Sequence, residues 1–107
     1  MLNKHVTFTV GLTTSKGAQL WPAYVIQDVS KILTFAGIDG FTVTEHLGYW
    51  KGEPEKSLSF TVIYDSNALP GFSSHAVAGV MAKQFYQEAV LYVIHGVFAD
   101  LVYAEEN

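Results

Sequence analysis

Residues 48–55 concentrate side chains that suit the binding of a small ligand. Tyr49 and Trp50 offer aromatic surfaces on which a base or another ring can stack. Lys51 offers a cation for an anionic group, and Gly48 exposes backbone without side-chain bulk. The carboxylate of Glu55 can accept a hydrogen bond from a sugar hydroxyl. We therefore predict a ligand-binding site at this stretch.

His46 and Thr7 are the polar residues that we expect to contact the same ligand. A histidine exchanges protons near neutral pH, so His46 is also a candidate acid or base. Glu45 is its neighbour in sequence, and neighbouring residues of a strand point to opposite faces. Glu45 therefore falls on the apolar parity, where we expect it at the rim of the sheet.

The sequence lacks the usual motifs of catalytic, metal-binding and nucleotide-binding sites. Ser73 and Ser74 do not have the G-x-S-x-G context of a nucleophile and are typical of helix caps. His75 and His95 have no partner four residues away and the chain has no cysteine, so the spacing of metal ligands is not met. We predict no catalytic residue, no metal and no cofactor.

The candidate site lies on a predicted β-hairpin that spans residues 41–64. Apolar residues alternate over residues 41–49 and 58–64, with the period of half-buried strands. The opposite parity carries a polar set with little formal charge: Thr42, Thr44, His46, Trp50, Ser57, Ser59 and Thr61. One face of the hairpin should pack on a core, and the polar face is where we expect function.

A strand and a helix precede the hairpin. Residues 4–12 alternate between apolar and polar types, which predicts the first strand. Pro22 suits the first turn of a helix, and Gly37 suits its C-terminal end. Between them, apolar residues recur at helical spacing.

A second helix and more strand follow the hairpin. Ser73 or Ser74 is predicted to cap the helix, which should run to about Glu88. Residues 90–104 indicate strand, interrupted at Gly96 by a bulge or a turn. The order β-α-β-β-α-β predicts a single ferredoxin-like α+β domain over residues 1–107, an antiparallel sheet with both helices on one face.

Composition narrows the choice of partners. The net charge is -4, and all six basic residues are lysines, which argues against a nucleic-acid partner. No apolar run has the length of a membrane span or the form of a secretory signal, so we expect a cytoplasmic protein without a membrane partner. A lightly charged chain with 14% aromatic residues favours a homo-oligomer, a dimer or a trimer.

The stretch AGIDGFTVTEHLGYWKG, residues 36–52, resembles the PII-like signalling proteins. The chain is also similar to uncharacterised bacterial and phage ferredoxin-like proteins, through FTVGL at residues 8–12, GYWKGEPEKSL at residues 48–58 and QEAVL at residues 87–91. This resemblance implies a trimeric ligand sensor with a pocket beside Gly48 and Lys51 at a subunit interface, and it singles out Glu55. Among phage proteins it implies the sequestering of a signalling nucleotide.

Three functions remain open on the sequence. Our leading interpretation is a non-catalytic oligomer that binds or sequesters a small ligand such as a nucleotide signal. The first alternative is a small dimeric α/β-barrel-type enzyme in which His46 or Glu45 handles protons. The second alternative is a purely structural oligomer.

Overall fold

The computed structural model describes residues 1–104, which form an α+β fold of one five-stranded antiparallel sheet and two helices. The elements are β1 (Lys4–Gly11), α1 (Pro22–Phe35), β2 (Thr42–Trp50), β3 (Glu53–Tyr64), α2 (Ser74–Gln84), β4 (Ala89–Ile94) and β5 (Phe98–Tyr103). Across the sheet the strands follow the order β2-β3-β1-β4-β5. The predicted α+β class is confirmed.

The end of the chain contains one more strand than the predicted β-α-β-β-α-β order. Residues 95–97 form a turn, closed by the Val97 N–H donating to the Ile94 carbonyl at 3.0 Å. β4 and β5 then pair antiparallel, from Ala89 opposite Tyr103 to Ile94 opposite Phe98. The interruption at Gly96 is therefore a turn, and the strand predicted after it is a separate edge strand, β5, beyond the β-α-β-β-α-β order.

Helix α1 has the predicted ends. Pro22 occupies its first turn, where the missing N–H costs no hydrogen bond. At the other end Gly37 has a φ of +95°, and its N–H donates to the Thr34 carbonyl at 3.0 Å. The Ile38 N–H donates to the Leu33 carbonyl at 2.9 Å, which completes a Schellman motif.

Helix α2 begins as predicted but ends earlier than Glu88. The Ser73 hydroxyl accepts a hydrogen bond from the Ala76 N–H at 3.1 Å, so Ser73 is the cap. The helix ends at Gln84, and Tyr86 has a φ of +51°, which no helix accommodates. Residues 87 and 88 consequently lie in the connection to β4, where both side chains face the open side of the sheet.

Both helices cover one face of the sheet, and the core lies between the two layers. The alternate residues of β1 and β3 that face the helices are fully or almost fully buried: Val6, Phe8, Val10, Leu58, Phe60 and Val62. The other parity of the same strands carries Thr7, Thr9, Ser59 and Thr61 on an open face. The predicted division of the hairpin into an apolar and a polar face is thereby confirmed for β3.

Strand β2 departs from that division because none of its residues is buried. Val43 pairs with Phe60, so these apolar residues share a face as predicted, yet Leu47 and Tyr49 are 60% and 72% exposed. β2 is an edge strand, and its outer half extends beyond the area that the helices cover. The apolar face of the hairpin end therefore meets solvent.

We expect Phe60→Ala to lower the free energy of unfolding by about 3–5 kcal/mol, since it removes a buried ring and leaves a cavity. Phe35→Ala is the matched control, because the Phe35 side chain is 95% exposed at the end of α1 and should change stability by less than about 0.5 kcal/mol. Urea denaturation followed by circular dichroism measures both. Equal losses would contradict the assignment of the core.

Candidate functional site

A cleft of about 720 Å³ opens at one end of the open face. Four segments line it: the end of β1 with the loop that follows, the β2–β3 hairpin end, the connection between α2 and β4, and the outward residues of β4 and β5. The cleft exists because the hairpin extends beyond the body of the sheet, and the loop after β1 rises beside it. The predicted site stretch forms one wall.

Glu55 lies at the centre of this cleft between two glycines. It pairs across the ladder with Gly48 of β2, and on the other side its carboxyl atoms stand 2.5 Å from where a Cβ on Gly11 would be. No side chain at position 11 could coexist with that carboxylate position, so Gly11 permits the close approach. At Gly48 a Cβ would make an ordinary contact of 3.7 Å with the Ser57 hydroxyl, so the absence of a side chain there only widens the cleft.

The half-buried position of Glu55 changes its protonation. Loss of solvent raises the pKa of this carboxyl above its ordinary value, and a hydrogen bond from the Thr13 backbone N–H opposes the rise without cancelling it. A carboxyl with a raised pKa inside a cleft is a frequent feature of binding and catalytic sites. Glu55 is therefore the carboxyl group of the candidate site whose pKa is raised by burial.

Gln87 holds the floor of the cleft in place. Its buried side-chain oxygen accepts a hydrogen bond from the Gly11 N–H at 3.2 Å. Its amide nitrogen donates to the Thr13 carbonyl at 3.3 Å and to the Phe85 carbonyl at 3.1 Å. One amide thus joins the end of β1, the following loop and the end of α2, and leaves no buried polar atom of its own unsatisfied.

An ion pair bridges the cleft on its outer side. The Lys51 ammonium lies 2.8 Å from a Glu88 carboxylate oxygen, which joins the hairpin turn to the start of β4. That carboxylate raises the pKa of Lys51 through its hydrogen bond and its charge. The same ammonium lies 5.8 Å from the centre of the Trp50 ring, within the range of a cation–π contact. The cation that we expected to meet a ligand anion already meets one from its own chain.

His46 belongs to a short hydrogen-bonded chain on the open face. Its Nε2 lies 2.6 Å from the Ser59 hydroxyl, and that hydroxyl lies 3.0 Å from the Thr9 hydroxyl. β3 separates β2 from β1, so His46 reaches neither His5 nor Thr7. The imidazole is therefore held by a neutral hydroxyl, with the ring exposed at the rim of the cleft.

The structure brings together six of the seven predicted ligand-binding residues. His46, Gly48, Tyr49, Trp50, Lys51 and Glu55 all line the cleft. Thr7 does not line it, because its hydroxyl lies further along the sheet and bonds to Thr61 and His95, at 3.0 Å each. Glu45 is exposed on the opposite face of β2, across from Leu58, which agrees with its expected rim position.

Sequence reasoning missed Gly11, Gln87 and Glu88. Gly11 lies within the first predicted strand, and the other two lie within the predicted range of helix α2. The one local signal for the connection between α2 and β4 is that Gln87 directly precedes an apolar strand. A glutamine is seldom buried without several hydrogen bonds, which is the case for Gln87 here. The Lys51–Glu88 pair joins residues 37 positions apart and has no local signal at all.

Within residues 1–104, no group of three or more histidine, aspartate or glutamate side chains is arranged to hold a metal ion. Neither helix of the described chain combines the length and the apolar character needed to cross a bilayer.

The fold is shared with solved structures of a phage enzyme. No known protein family matches the sequence, and no curated protein matches it significantly. The chain is similar to a phage SAM lyase in complex with S-methyl-5'-thioadenosine, with a TM-score of 0.64, 18% identity and coverage of 97% of this chain and 92% of that one. It is also similar to a phage SAM lyase in the apo state, with a TM-score of 0.67, 19% identity and coverage of 97% and 91%. At these identities the likeness establishes the fold.

These neighbours correct our sequence-based interpretation. A non-catalytic binding or sequestering protein is at variance with them, because the fold that they share with this chain belongs to an enzyme. The enzyme alternative agrees better with the comparison. The neighbours give loose support to the resemblance to small phage proteins, and neither of them is a PII-like protein.

We expect Glu55→Gln to remove a pH-dependent part of the stability. The folded state raises the pKa of Glu55, so the wild-type carboxylate destabilises the fold once it ionises. Below the ordinary pKa of 4.5 the carboxyl is protonated in the folded and the unfolded state, and its full contribution to the stability of the wild type is present. That contribution is lost as the pH rises through the raised pKa. The stability of Glu55→Gln relative to wild type should therefore increase over this window and then level off.

Urea denaturation at a series of pH values measures this difference. Glu45→Gln is the control, since it makes the same change on the exposed opposite face of the sheet. A relative stability of Glu55→Gln that stays constant from below pH 4.5 to neutral pH would show that the carboxyl is not desolvated.

Proposed function

We propose that this chain is a lyase that acts on a sulfonium nucleoside, with S-adenosylmethionine, SAM, as the representative substrate. One observation carries the proposal: a half-buried glutamate stands in an acidic cleft, in a fold that spans 97% of this chain and is shared with a phage SAM lyase. On this proposal the first four strands follow the ferredoxin-like plan, and β5 is an addition to its edge.

The charge of the cleft suits a cationic substrate. Glu53, Glu55 and Glu88 line it, and Lys51 is the one lysine among the described residues that line it. Glu88 compensates that lysine, so two carboxylates remain without a paired cation in the cleft. SAM carries a positive sulfonium and a positive ammonium group, and a carboxylate in a partly desolvated site attracts such cations more strongly than one in water.

The walls of the cleft suit the nucleoside part of the substrate. Trp50 is half-buried there and offers a ring face to an adenine base, and Tyr49 adds apolar surface at the rim. The loop after β1 contributes Thr13, Thr14 and Ser15 to the lining, and their hydroxyl and backbone groups can hydrogen-bond a ribose. A cleft of about 720 Å³ lies within the usual range for ligands of this size.

The chemistry follows from the product that one neighbour holds. S-Methyl-5'-thioadenosine retains the sulfur and the methyl group, so the bond that breaks joins sulfur to the four-carbon amino-acid fragment. Its electron pair passes to sulfur, which changes from a sulfonium to a neutral thioether. A lyase adds no water, so the fragment replaces the lost pair from within itself. The pair comes from its own carboxylate, which closes a ring, or from a C–H bond, whose proton passes to a base.

Glu55 has the same task on either route, which is to hold the cationic substrate in the cleft. His46 and Glu55 are the bases that the cleft offers if a C–H bond breaks. Glu45, the other residue of the enzyme alternative, lies on the opposite face and takes no part. Because the reaction removes the charge at sulfur, a site partly shielded from water favours the less charged transition state.

The active form on this proposal is a homo-oligomer, a dimer or a trimer. Large apolar side chains stand well exposed on a single chain, among them Trp21 at 80%, Tyr86 at 70% and Val97 at 66%. Exposed apolar surface on this scale favours association. The mass of the intact assembly in native mass spectrometry gives the number of subunits.

We expect Glu55→Gln to lower kcat/KM for SAM by about tenfold to a hundredfold, the range for losing a hydrogen bond to a charged group. The binding of S-methyl-5'-thioadenosine should change much less, because that molecule carries neither the sulfonium nor the ammonium. Liquid chromatography with mass spectrometry measures formation of S-methyl-5'-thioadenosine, and the mass of the second product identifies the route. Calorimetry measures binding of the neutral compound.

Glu45→Gln provides the matched control for charge, since it removes a carboxylate from the other face of β2. It should retain wild-type activity. A wild-type protein that binds SAM without converting it would refute the lyase proposal. Equal activity of Glu55→Gln and wild type would refute the role of Glu55.

A further inference from the structure

Two histidines face each other at the opposite end of the open face from the cleft. The turn after β4 brings His95 beside His5 of β1, and the backbone N–H of His95 donates to the backbone carbonyl of His5 at 2.9 Å. Their rings stack with centroids 3.9 Å apart and planes 20° apart. Both side chains are exposed to solvent, and neither lines the cleft.

A threonine orients one of these rings. His95 Nε2 lies 3.0 Å from the Thr7 hydroxyl, which lies 3.0 Å from the Thr61 hydroxyl. If the imidazole N–H donates to Thr7, the Thr7 hydroxyl is free to donate to Thr61, and the chain of hydrogen bonds is complete. His95 Nδ1 then keeps a free lone pair. The ring of His5 has no hydrogen-bond partner among residues 1–104, so both of its nitrogens are accessible.

We propose that His5 and His95 form a binding site for a divalent transition-metal ion, with Zn²⁺ as the probe. Neutral imidazole is a preferred ligand of Zn²⁺, Cu²⁺ and Ni²⁺, and water fills the remaining coordination positions of an exposed site. Two nitrogens at about 2.0–2.1 Å from one ion lie roughly 3 Å from each other. The ring centroids lie 3.9 Å apart, so the two imidazoles are near enough to share one ion. Imidazole lone pairs lie in the ring planes, so the exposed His5 ring must rotate out of the stack to direct a nitrogen toward the ion that His95 Nδ1 binds.

Uncharged side chains adjoin the pair on the open face. Thr7 and Thr61 are uncharged, and Ile63 is the residue opposite His5 on β3. A hydrogen bond from a ligating histidine to an oxygen acceptor fixes its tautomer and the direction of its lone pair, which is the part that Thr7 plays here. Thr7 is therefore a positioning residue of this site. The site requires no part of the proposed lyase chemistry.

Calorimetric titration of tag-free protein with ZnCl₂ tests the proposal. We expect one Zn²⁺ per chain, and a weakening of about tenfold or more for His5→Ala and for His95→Ala, since each removes one of two protein ligands. His75→Ala is the matched control, because His75 is an exposed histidine at the start of α2 whose nearest ring partner is Tyr92. It should bind Zn²⁺ as the wild type does.

Two further measurements distinguish specific Zn²⁺ binding at His5 and His95 from the alternative, an adventitious ion only. In NMR spectra of the imidazole nitrogens, Zn²⁺ should shift the signals of His5 and His95 and leave those of His46 and His75 in place. Thr7→Val keeps the shape of the strand residue and should weaken Zn²⁺ binding, while circular dichroism shows an intact fold. Zn²⁺ binding that survives in the His5→Ala, His95→Ala double variant, or signals that shift equally for all four histidines, would overturn the proposal.

Discussion

The contact between the Glu55 carboxylate and the backbone of Gly11 is the constraint on which the cleft depends. The carboxyl atoms stand 2.5 Å from the place of a Cβ at position 11, so any side chain there would displace the carboxylate from its present position. The Gly11 N–H donates to the side-chain oxygen of Gln87, which holds this glycine in place. In the loop after β1, the Thr13 N–H donates a hydrogen bond to the Glu55 carboxylate. The charged group of Glu55, its partial burial and the backbone of Gly11 therefore meet at one point of the sheet.

The sheet order explains why this point is open to a ligand. Both helices cover the face that carries Val6, Phe8 and Phe60, and no helix or second sheet formed by residues 1–104 covers the opposite face. The hairpin of β2 and β3 reaches beyond the helices, and Lys51 joins its turn to Glu88. The result is a cleft with one wall made by an edge strand. The fold around this cleft is similar to that of a phage SAM lyase.

Local patterns in the sequence predicted much of the architecture. The alternation in residues 41–64 predicted the hairpin, and the observed pairing of Val43 with Phe60 follows from it. Ser73 and Gly37 marked helix ends because their preferences act through backbone groups within a few residues. Six of the seven residues predicted to bind a ligand line one cleft because they are neighbours on one hairpin, and their role in binding stays a prediction.

Local sequence patterns could not predict the contacts between distant segments of the chain. Gly96 is compatible with a bulge or a turn, and the pairing of β4 with the strand after Gly96 makes it a turn, so that the two predicted strand segments count as two strands. The early end of α2 depends on a buried glutamine that bonds to β1. The closeness of Gly11 to Glu55, and of His5 to His95, depends on which strands become neighbours. The similarity to the fold of a phage SAM lyase was likewise hidden, because a sequence can share a fold at 18% identity without sharing motifs.

The central claim is that the cleft around Glu55 accepts the adenosyl group of a sulfonium substrate. The most direct test is a titration of ¹⁵N-labelled protein with S-methyl-5'-thioadenosine, followed by two-dimensional NMR. Our account predicts that the amide signals of Gly11 and Gly48 and the indole N–H of Trp50 shift together and saturate at one ligand per site. Shifts confined to the groove between α1 and α2, around Ile32 and Val80, would contradict it.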